Sequence, residues 1–222
     1  MKVTVLTSGS TDEPKHILHN NIRPYIEKSI KEIGLTSEDR VLDVFPANVI
    51  AHYTVTAMPA LLSGAHLVSA AFDPYTYITF FNQIQPTYIS LIPRHWEILS
   101  KTKGWKNLDM SCVRYMVTGS GKISQQMIDD FRERGVNTVA NWYGLTEFPP
   151  PVMIGYNSTS FDLNTIDTDL HHVMFNPVTA TSNLAECIIN GRSTGDIFDM
   201  NTKTFSHRRI NPNGKTWKNN FQ

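Results

Sequence analysis

Val113-Arg114-Tyr115-Met116-Val117-Thr118-Gly119-Ser120-Gly121 is the stretch that decides the fold. Its first six residues are rich in β-branched and aromatic side chains and read as a strand, which runs into a glycine-containing loop. Ser124 then stands as the N-cap of a helix ending near Gly135, and residues 136–140 form the next strand. Outward from this unit the pattern repeats. Residues 88–92 read as a strand and 93–100 as a helix with Pro93 in its first turn. Residues 65–69 and 75–84 make another strand and helix. Residues 40–45 make a strand ended by Pro46, and a mostly apolar helix follows at 49–62. Residues 20–34 form an amphipathic helix with Ile22, Tyr25, Ile26, Ile30 and Ile33 on one face, and residues 2–6 alternate as a strand.

Short apolar strands alternating with helices predict an α/β fold: a mostly parallel, doubly wound sheet with helices on both faces. Ligands of such sheets sit beyond the carboxyl ends of the strands. Three polar loops fall there: the one after Val5-Leu6, Gly119-Ser120-Gly121, and the one ending in Glu147. After Pro149-Pro150-Pro151 helical periodicity fades, and β-like pieces appear at 152–156, 186–190, 196–199 and 204–207. The expected division is therefore an α/β core at 1–151 and a small antiparallel β-rich appendage at 152–222.

With 41% hydrophobic residues in 222, the chain has material for a packed core. Lys+Arg and Asp+Glu are 20 each, which removes the electrostatic case for nonspecific binding to nucleic acid or an acidic membrane. The apolar stretch 55–72 is broken by Pro59, Ser63, Gly64 and His66, a poor membrane span, and the N-terminus lacks the apolar core of a signal peptide. Cys112 and Cys187 make neither a disulfide scaffold nor a metal spacing, so a reducing, cytoplasmic setting is expected. His16 and His19, and His171-His172 beside Asp167 and Asp169, lack a complete metal set and read as solvated surface.

The loop Leu6-Thr7-Ser8-Gly9-Ser10-Thr11-Asp12-Glu13-Pro14-Lys15 supports two readings equally on its own. Its backbone N–H groups, hydroxyls and ammonium suit phosphate oxygens; its composition also suits a polar hairpin turn. It is not a Walker A loop, because no second glycine precedes Lys15 and His16 stands where Ser or Thr should follow.

That loop, then Tyr143-Gly144-Leu145-Thr146-Glu147, then Ser193-Thr194-Gly195-Asp196, in this order, resemble three motifs of the AMP-forming adenylating enzymes. That superfamily contains acyl-CoA synthetases, nonribosomal-peptide adenylation domains and luciferases. Residues 35–42, 46–64 and 114–123 resemble its connecting segments. The resemblance implies ATP-dependent activation of a carboxylic acid to an acyl-adenylate, with ATP/AMP and Mg²⁺ as cofactors. It implies that Thr7, Ser8, Gly9, Ser10, Thr11 and Lys15 cradle the β- and γ-phosphates. It implies that Gly119, Ser120 and Gly121 line the adenine and acyl pockets. Asn141, Trp142, Tyr143 and Gly144 would flank the adenine, with Tyr143 stacking on it. Thr146 would touch the α-phosphate, Glu147 would hold Mg²⁺, and Asp196 and Arg208 would take the ribose. Lys15, Thr146 and Glu147 are thus the expected catalytic residues. Val49, His52, Tyr53, Ser120 and Trp142 are the expected acyl-pocket residues.

Plainer readings stand beside these. Glu147 also reads as a surface acid, Thr194-Gly195-Asp196 as a hairpin turn, Trp142 as a core aromatic, and His52 as a satisfied histidine on a packed helix. Asp12 and Val49 depart from the family pattern: the first puts a carboxylate beside a triphosphate, the second alters the acyl-pocket wall. The resemblance starts at the phosphate loop and stops past the hinge, and the family's N-terminal subdomain and C-terminal domain are expected to have no counterpart in these 222 residues. Thioester formation by this chain alone is therefore not expected. A non-catalytic nucleotide- or acyl-adenylate-binding module, or a remnant acting with a partner chain, is the alternative, and a homodimer or partner polypeptide is expected to cover apolar surface.

Overall fold

The computed structural model describes residues 1–6 and 15–208. Its centre is a six-stranded sheet built from β3 (Arg40–Asp43), β4 (His66–Ser69), β5 (Tyr88–Ser90), β6 (Tyr115–Gly119), β7 (Thr138–Tyr143) and β8 (Met153–Tyr156), in the order β4-β3-β5-β6-β7-β8. The first five are parallel, and β8 closes the edge antiparallel to β7. Helices cover both faces, as the alternation predicts. On one face, α3 (Pro74–Ile84), α4 (Pro93–Leu99) and α5 (Gln125–Glu133) enclose a core that includes Phe81, Leu91, Leu99, Met116 and Phe131. On the other, α1 (Arg23–Ile33) and α2 (Ala57–Ser63) cover Val41, Tyr88, Val117 and Trp142. Ser124 caps α5 by accepting from Met127 N at 3.2 Å, as read from the sequence.

Partly buried polar pairs brace these layers. Trp96 and Trp105 both donate their indole N–H to Asp130 Oδ2, at 2.7 and 2.8 Å. Arg114 binds both oxygens of Asp39 at 2.8 and 2.6 Å and also reaches the carbonyls of Ile33 and Gly34 at the end of α1. Burial pushes the Asp39 carboxyl up, but the bonds from Arg114, Thr87 and the Thr36 amide outweigh it and hold it down to about 2.

Three expectations are corrected. The helix at 49–62 is not continuous: a wide π-helical turn, His52–Thr56, precedes α2. Pro59, four residues after Val55, has no N–H to give the Val55 carbonyl, and the buried Tyr88 hydroxyl donates to that carbonyl instead, at 2.8 Å. Residues 152–156 do not belong to the appendage, since β8 pairs with β7. The strand before the first polar loop is not in the parallel sheet. β1 (Val3–Leu6) and β2 (His16–His19) form a separate antiparallel hairpin, packed through Val5 and Ile17 against Ile22, Ile26 and Ile50.

The remainder is a four-stranded antiparallel sheet, order β12-β11-β10-β9, of β9 (Val173–Pro177), β10 (Leu184–Ile189), β11 (Arg192–Asp199) and β12 (Thr204–Arg208). Its Cys187, Ile189 and Phe198 pack with Tyr143, Phe148 and Met153, so this sheet leans on the carboxyl end of β7. Among the described residues no helix is long and apolar enough to cross a membrane.

Candidate functional site

The carboxyl ends of β3, β5, β6 and β7 open on one cleft. It encloses about 330 Å³ of free space, part of it open to solvent, and is lined by Phe45, Val55, Ile92, Gly119, Ser120 and Trp142 among others. Gly119 faces Trp142 across the sheet register, and a Cβ there would stand 2.4 Å from the Trp142 carbonyl oxygen. At Gly144 a Cβ would stand 2.7 Å from Pro150. Any side chain at either position would force strands or loop apart, so the loops approach closely only with glycine. Ser120 sits at φ 59°, in the left-handed region.

Beside the cleft, residues far apart in sequence converge. The Tyr143 hydroxyl donates to Asp196 Oδ2 at 2.8 Å, joining the end of β7 to β11. Arg208 on β12 grips the same carboxylate, from Nε to Oδ1 at 2.7 Å and from Nη2 to Oδ2 at 3.3 Å. That bond raises the Arg208 guanidinium further, against the effect of burial, and Glu147 adds to the rise. Burial and the Asp196 charge push the Tyr143 hydroxyl well up, so it stays a donor. Edge-on contacts with Phe161 and Phe198, 6.1 and 5.1 Å between centroids, fix the Tyr143 ring.

The hairpin stem meets the same place. His19 Nε2 donates to the Thr146 carbonyl at 2.8 Å. Leu6 N donates to the Asn48 carbonyl at 2.9 Å. Burial lowers the His19 pKa, while the Thr146 carbonyl and Glu147 pull it back up. His19 is therefore half-buried at a junction rather than solvated surface; nothing in a lone histidine's sequence context signals that. His171 departs from the surface reading more strongly. It is 1% exposed, against Tyr25 and Phe148, because the chain before β9 folds under α1.

The other expected residues are placed as follows. Thr7, Ser8, Gly9, Ser10, Thr11 and Asp12 lie outside the described residues, and Lys15 is exposed immediately before β2. Gly121 packs beside Pro93. Asn141 is buried on β7, and Gly144 lines the cleft. Glu147 is half-buried and makes no hydrogen bond or ion pair with a described residue other than its field on His19 and Arg208. Of the expected acyl-pocket residues, Ser120 and Trp142 line the cleft, whereas Val49, His52 and Tyr53 stand outside its lining. The wide turn sets this phase: it presents Ala51 and Val55 to the cleft and turns His52 Nδ1 to 2.7 Å from Asp43 Oδ2. Asp43 is fully buried and also accepts from Thr56, Ser69 and the Phe45 amide. Sequence reading missed Phe45, Ala51, Val55, Ile92, Val117, Thr118 and Pro150 as lining residues, since mostly apolar residues at strand and helix ends carry no distinguishing pattern.

Comparisons with known proteins agree with this geometry. The family described as AMP-binding enzyme matches residues 3–177. Feruloyl-CoA synthase from an Amycolatopsis species is 27% identical over 151 residues, 67% of this chain and 30% of that protein. Indoleacetate–CoA ligase from Aromatoleum aromaticum is 30% identical over 147 residues, 65% of this chain and 29% of that protein. The chain thus spans about three-tenths of the length of these curated relatives. Among solved structures, O-succinylbenzoate coenzyme A synthetase from Bacillus subtilis, in complex with ATP and magnesium ion, superposes with a TM-score of 0.70. It is 19% identical, covering 96% of this chain and 52% of that one, a likeness of fold. Since the family match runs from the β1 hairpin through the whole six-stranded sheet to β9, the chain belongs to the AMP-binding enzymes of the AMP-forming adenylating superfamily.

Proposed function

We propose that the chain binds ATP and a small carboxylic acid and joins them as an acyl-adenylate. A carboxylate oxygen bonds to the α-phosphorus as the bond from that phosphorus to the β-phosphate's bridging oxygen breaks, and the electron pair leaves with pyrophosphate. The observation that carries this reading is the meeting of Tyr143, Asp196 and Arg208, at 2.7–2.8 Å, beside the Thr146–Glu147 loop and the stem of the hydroxyl-rich loop. In this reading Asp196 and Arg208 take the ribose, Tyr143 the adenine and Thr146 the α-phosphate. Lys15 and the hydroxyls of Thr7, Ser8, Ser10 and Thr11 take the leaving pyrophosphate.

The residues fit Mg²⁺ in its usual nucleotide setting. That cation takes one or two carboxylates and fills its remaining positions with phosphate oxygens and water. Glu147 is such a lone carboxylate, and the described residues contain no cluster of three or more metal-ligating acids, histidines or cysteines. Bound there, the cation would neutralise charge on the phosphates. We also propose that a second copy or partner polypeptide covers Leu61 and Leu62 of α2, which are 57% and 48% exposed. The free thiols of Cys112 and Cys187 support a reducing, cytoplasmic setting.

ATP–pyrophosphate exchange over a panel of carboxylic acids tests the reading. Exchange is expected with at least one acid and is expected to vanish in Lys15→Ala and in Glu147→Ala. The alternative, nucleotide binding without catalysis, is favoured by Asp12, whose carboxylate opposes a triphosphate. AMP binding with no exchange would establish that alternative and end the enzymatic one.

A further inference from the structure

Thr194-Gly195-Asp196 is not the turn of a hairpin. It lies inside β11, and the turn that joins β10 to β11 is Asn190-Gly191. Glu186 pairs with Ile197, and Ile188 pairs with Ser193. Thr194, Gly195 and Asp196 therefore stand opposite the single residue Cys187, as a bulge. Gly195 takes the detour in the left-handed region, at φ 72°, where a side chain would be strained. The ladder to the other neighbour resumes at Asp196, which pairs with Arg208 of β12.

A bulge disrupts the ladder locally, so its backbone groups need other partners. Here one side chain serves both strands. The Thr194 hydroxyl donates to the Cys187 carbonyl at 2.8 Å and accepts from the Asp196 amide at 3.1 Å. Thr194, Cys187 and Asp196 are 4%, 0% and 3% exposed, so water does not compete for these groups. A hydroxyl is the side-chain group that can donate and accept from one atom. An aspartate carboxylate sits one carbon from its backbone, so a backbone held in this way fixes where the carboxylate goes. Bulges beside functional sites commonly re-aim a side chain, and this one delivers Asp196 to Tyr143 and Arg208.

We propose that Thr194 is a positioning residue, whose hydroxyl holds the bulge that aims Asp196 at the ribose hydroxyls of a bound nucleotide. This rests on the adenylation reading, in which Asp196 takes the ribose, and adds the residue that sets its aim. Thr194 acts through Asp196 and takes no part in the bond exchange at phosphorus. A general loosening of the fold weakens every nucleotide alike. A misaimed Asp196 weakens only those that carry the ribose hydroxyls.

The test is calorimetric titration of this chain with AMP and with 2′,3′-dideoxy-AMP, which lacks both ribose hydroxyls. The wild-type chain is expected to bind AMP at least about tenfold more tightly than the dideoxy compound, because a carboxylate that loses its donors is left unpaired. Thr194→Val keeps the shape and removes the hydroxyl. In it the preference is expected to fall to about twofold, with the affinity for dideoxy-AMP unchanged. Thr194→Ser keeps the hydroxyl and is expected to keep the full preference. Thr194→Ala replaces Thr194→Val should the latter not fold. Given a wild-type preference for AMP, three results would overturn the inference alone: a preference unchanged in Thr194→Val, affinities for both compounds falling alike, or a loss in Thr194→Ser equal to that in Thr194→Val. A wild-type chain that binds both compounds equally would overturn the assignment of Asp196 to the ribose and this inference with it. One that binds neither would overturn the adenylation reading itself.

Discussion

Tyr143 and Asp196 are 53 residues apart in the chain and meet at 2.8 Å. Both were legible as candidates because they stand in short ordered motifs, but their mutual bond was not, since no local pattern encodes a contact across two sheets. The hydroxyl of Tyr143 has a role separable from its ring. Tyr143→Phe keeps the aromatic face and removes one of the bonds that hold Asp196. It is expected to weaken AMP binding about fivefold to tenfold, read by calorimetry, in line with the ~1–1.5 kcal/mol at the upper end of a typical net hydrogen bond, since Arg208 still holds the carboxylate. An unchanged Kd would remove Tyr143 from the positioning of Asp196. His19 was illegible for a different reason. It acquires its meaning from burial, when the hairpin docks on the Thr146 carbonyl.

At the scale of elements, alternation of strand and helix was readable because each parallel strand is apolar on both faces and each helix carries one apolar stripe. The wide turn His52–Thr56 was not: Pro59 deprives the Val55 carbonyl of its helical donor, but the Tyr88 hydroxyl that takes that carbonyl comes from β5. Tyr88→Phe leaves the Val55 carbonyl unpaired in the core and is expected to cost about 1–2 kcal/mol in denaturant unfolding. Because Val55 lines the cleft, the same variant is expected to alter the order of acyl preferences; a variant with wild-type stability and preferences would contradict that link. Arg114 likewise joins α1, the 36–39 turn and β6 in one clamp. Arg114→Leu strands Asp39, only 4% exposed, without its partner and is expected to cost about 2–3 kcal/mol, less than a fully buried pair because the guanidinium is partly solvated. Chemical denaturation of that variant measures it directly.

For the whole molecule, the parallel sheet and its antiparallel companion followed from the change of pattern near Pro149, but the division of labour did not. β8 reads like its neighbours in the second sheet yet pairs with β7, and β9 escaped notice because Pro177 weakens it as a strand and fits only its edge position. Where the chain between the sheets passes under α1, burial pulls His171 down to about 4, and Lys28 adds to the fall while Asp167 and the Pro149 carbonyl oppose it. The unfolded chain takes up that proton first as pH falls. The stabilisation is therefore complete above about pH 6.5 and is lost progressively towards pH 4. Burial acts in the same direction on His95, so the slope has more than one source. His171→Phe is expected to reduce the drop in Tm between pH 7 and 4.5 by about 3 °C, and an unchanged drop would assign the slope elsewhere. The central claim is that the three motifs, scattered along the chain, make one nucleotide site around Asp196. Calorimetric titration of AMP into the chain and into Asp196→Ala tests it most directly. The account predicts one AMP per chain and a Kd weakened at least about tenfold in the variant; absence of binding, or equal affinities, would contradict it.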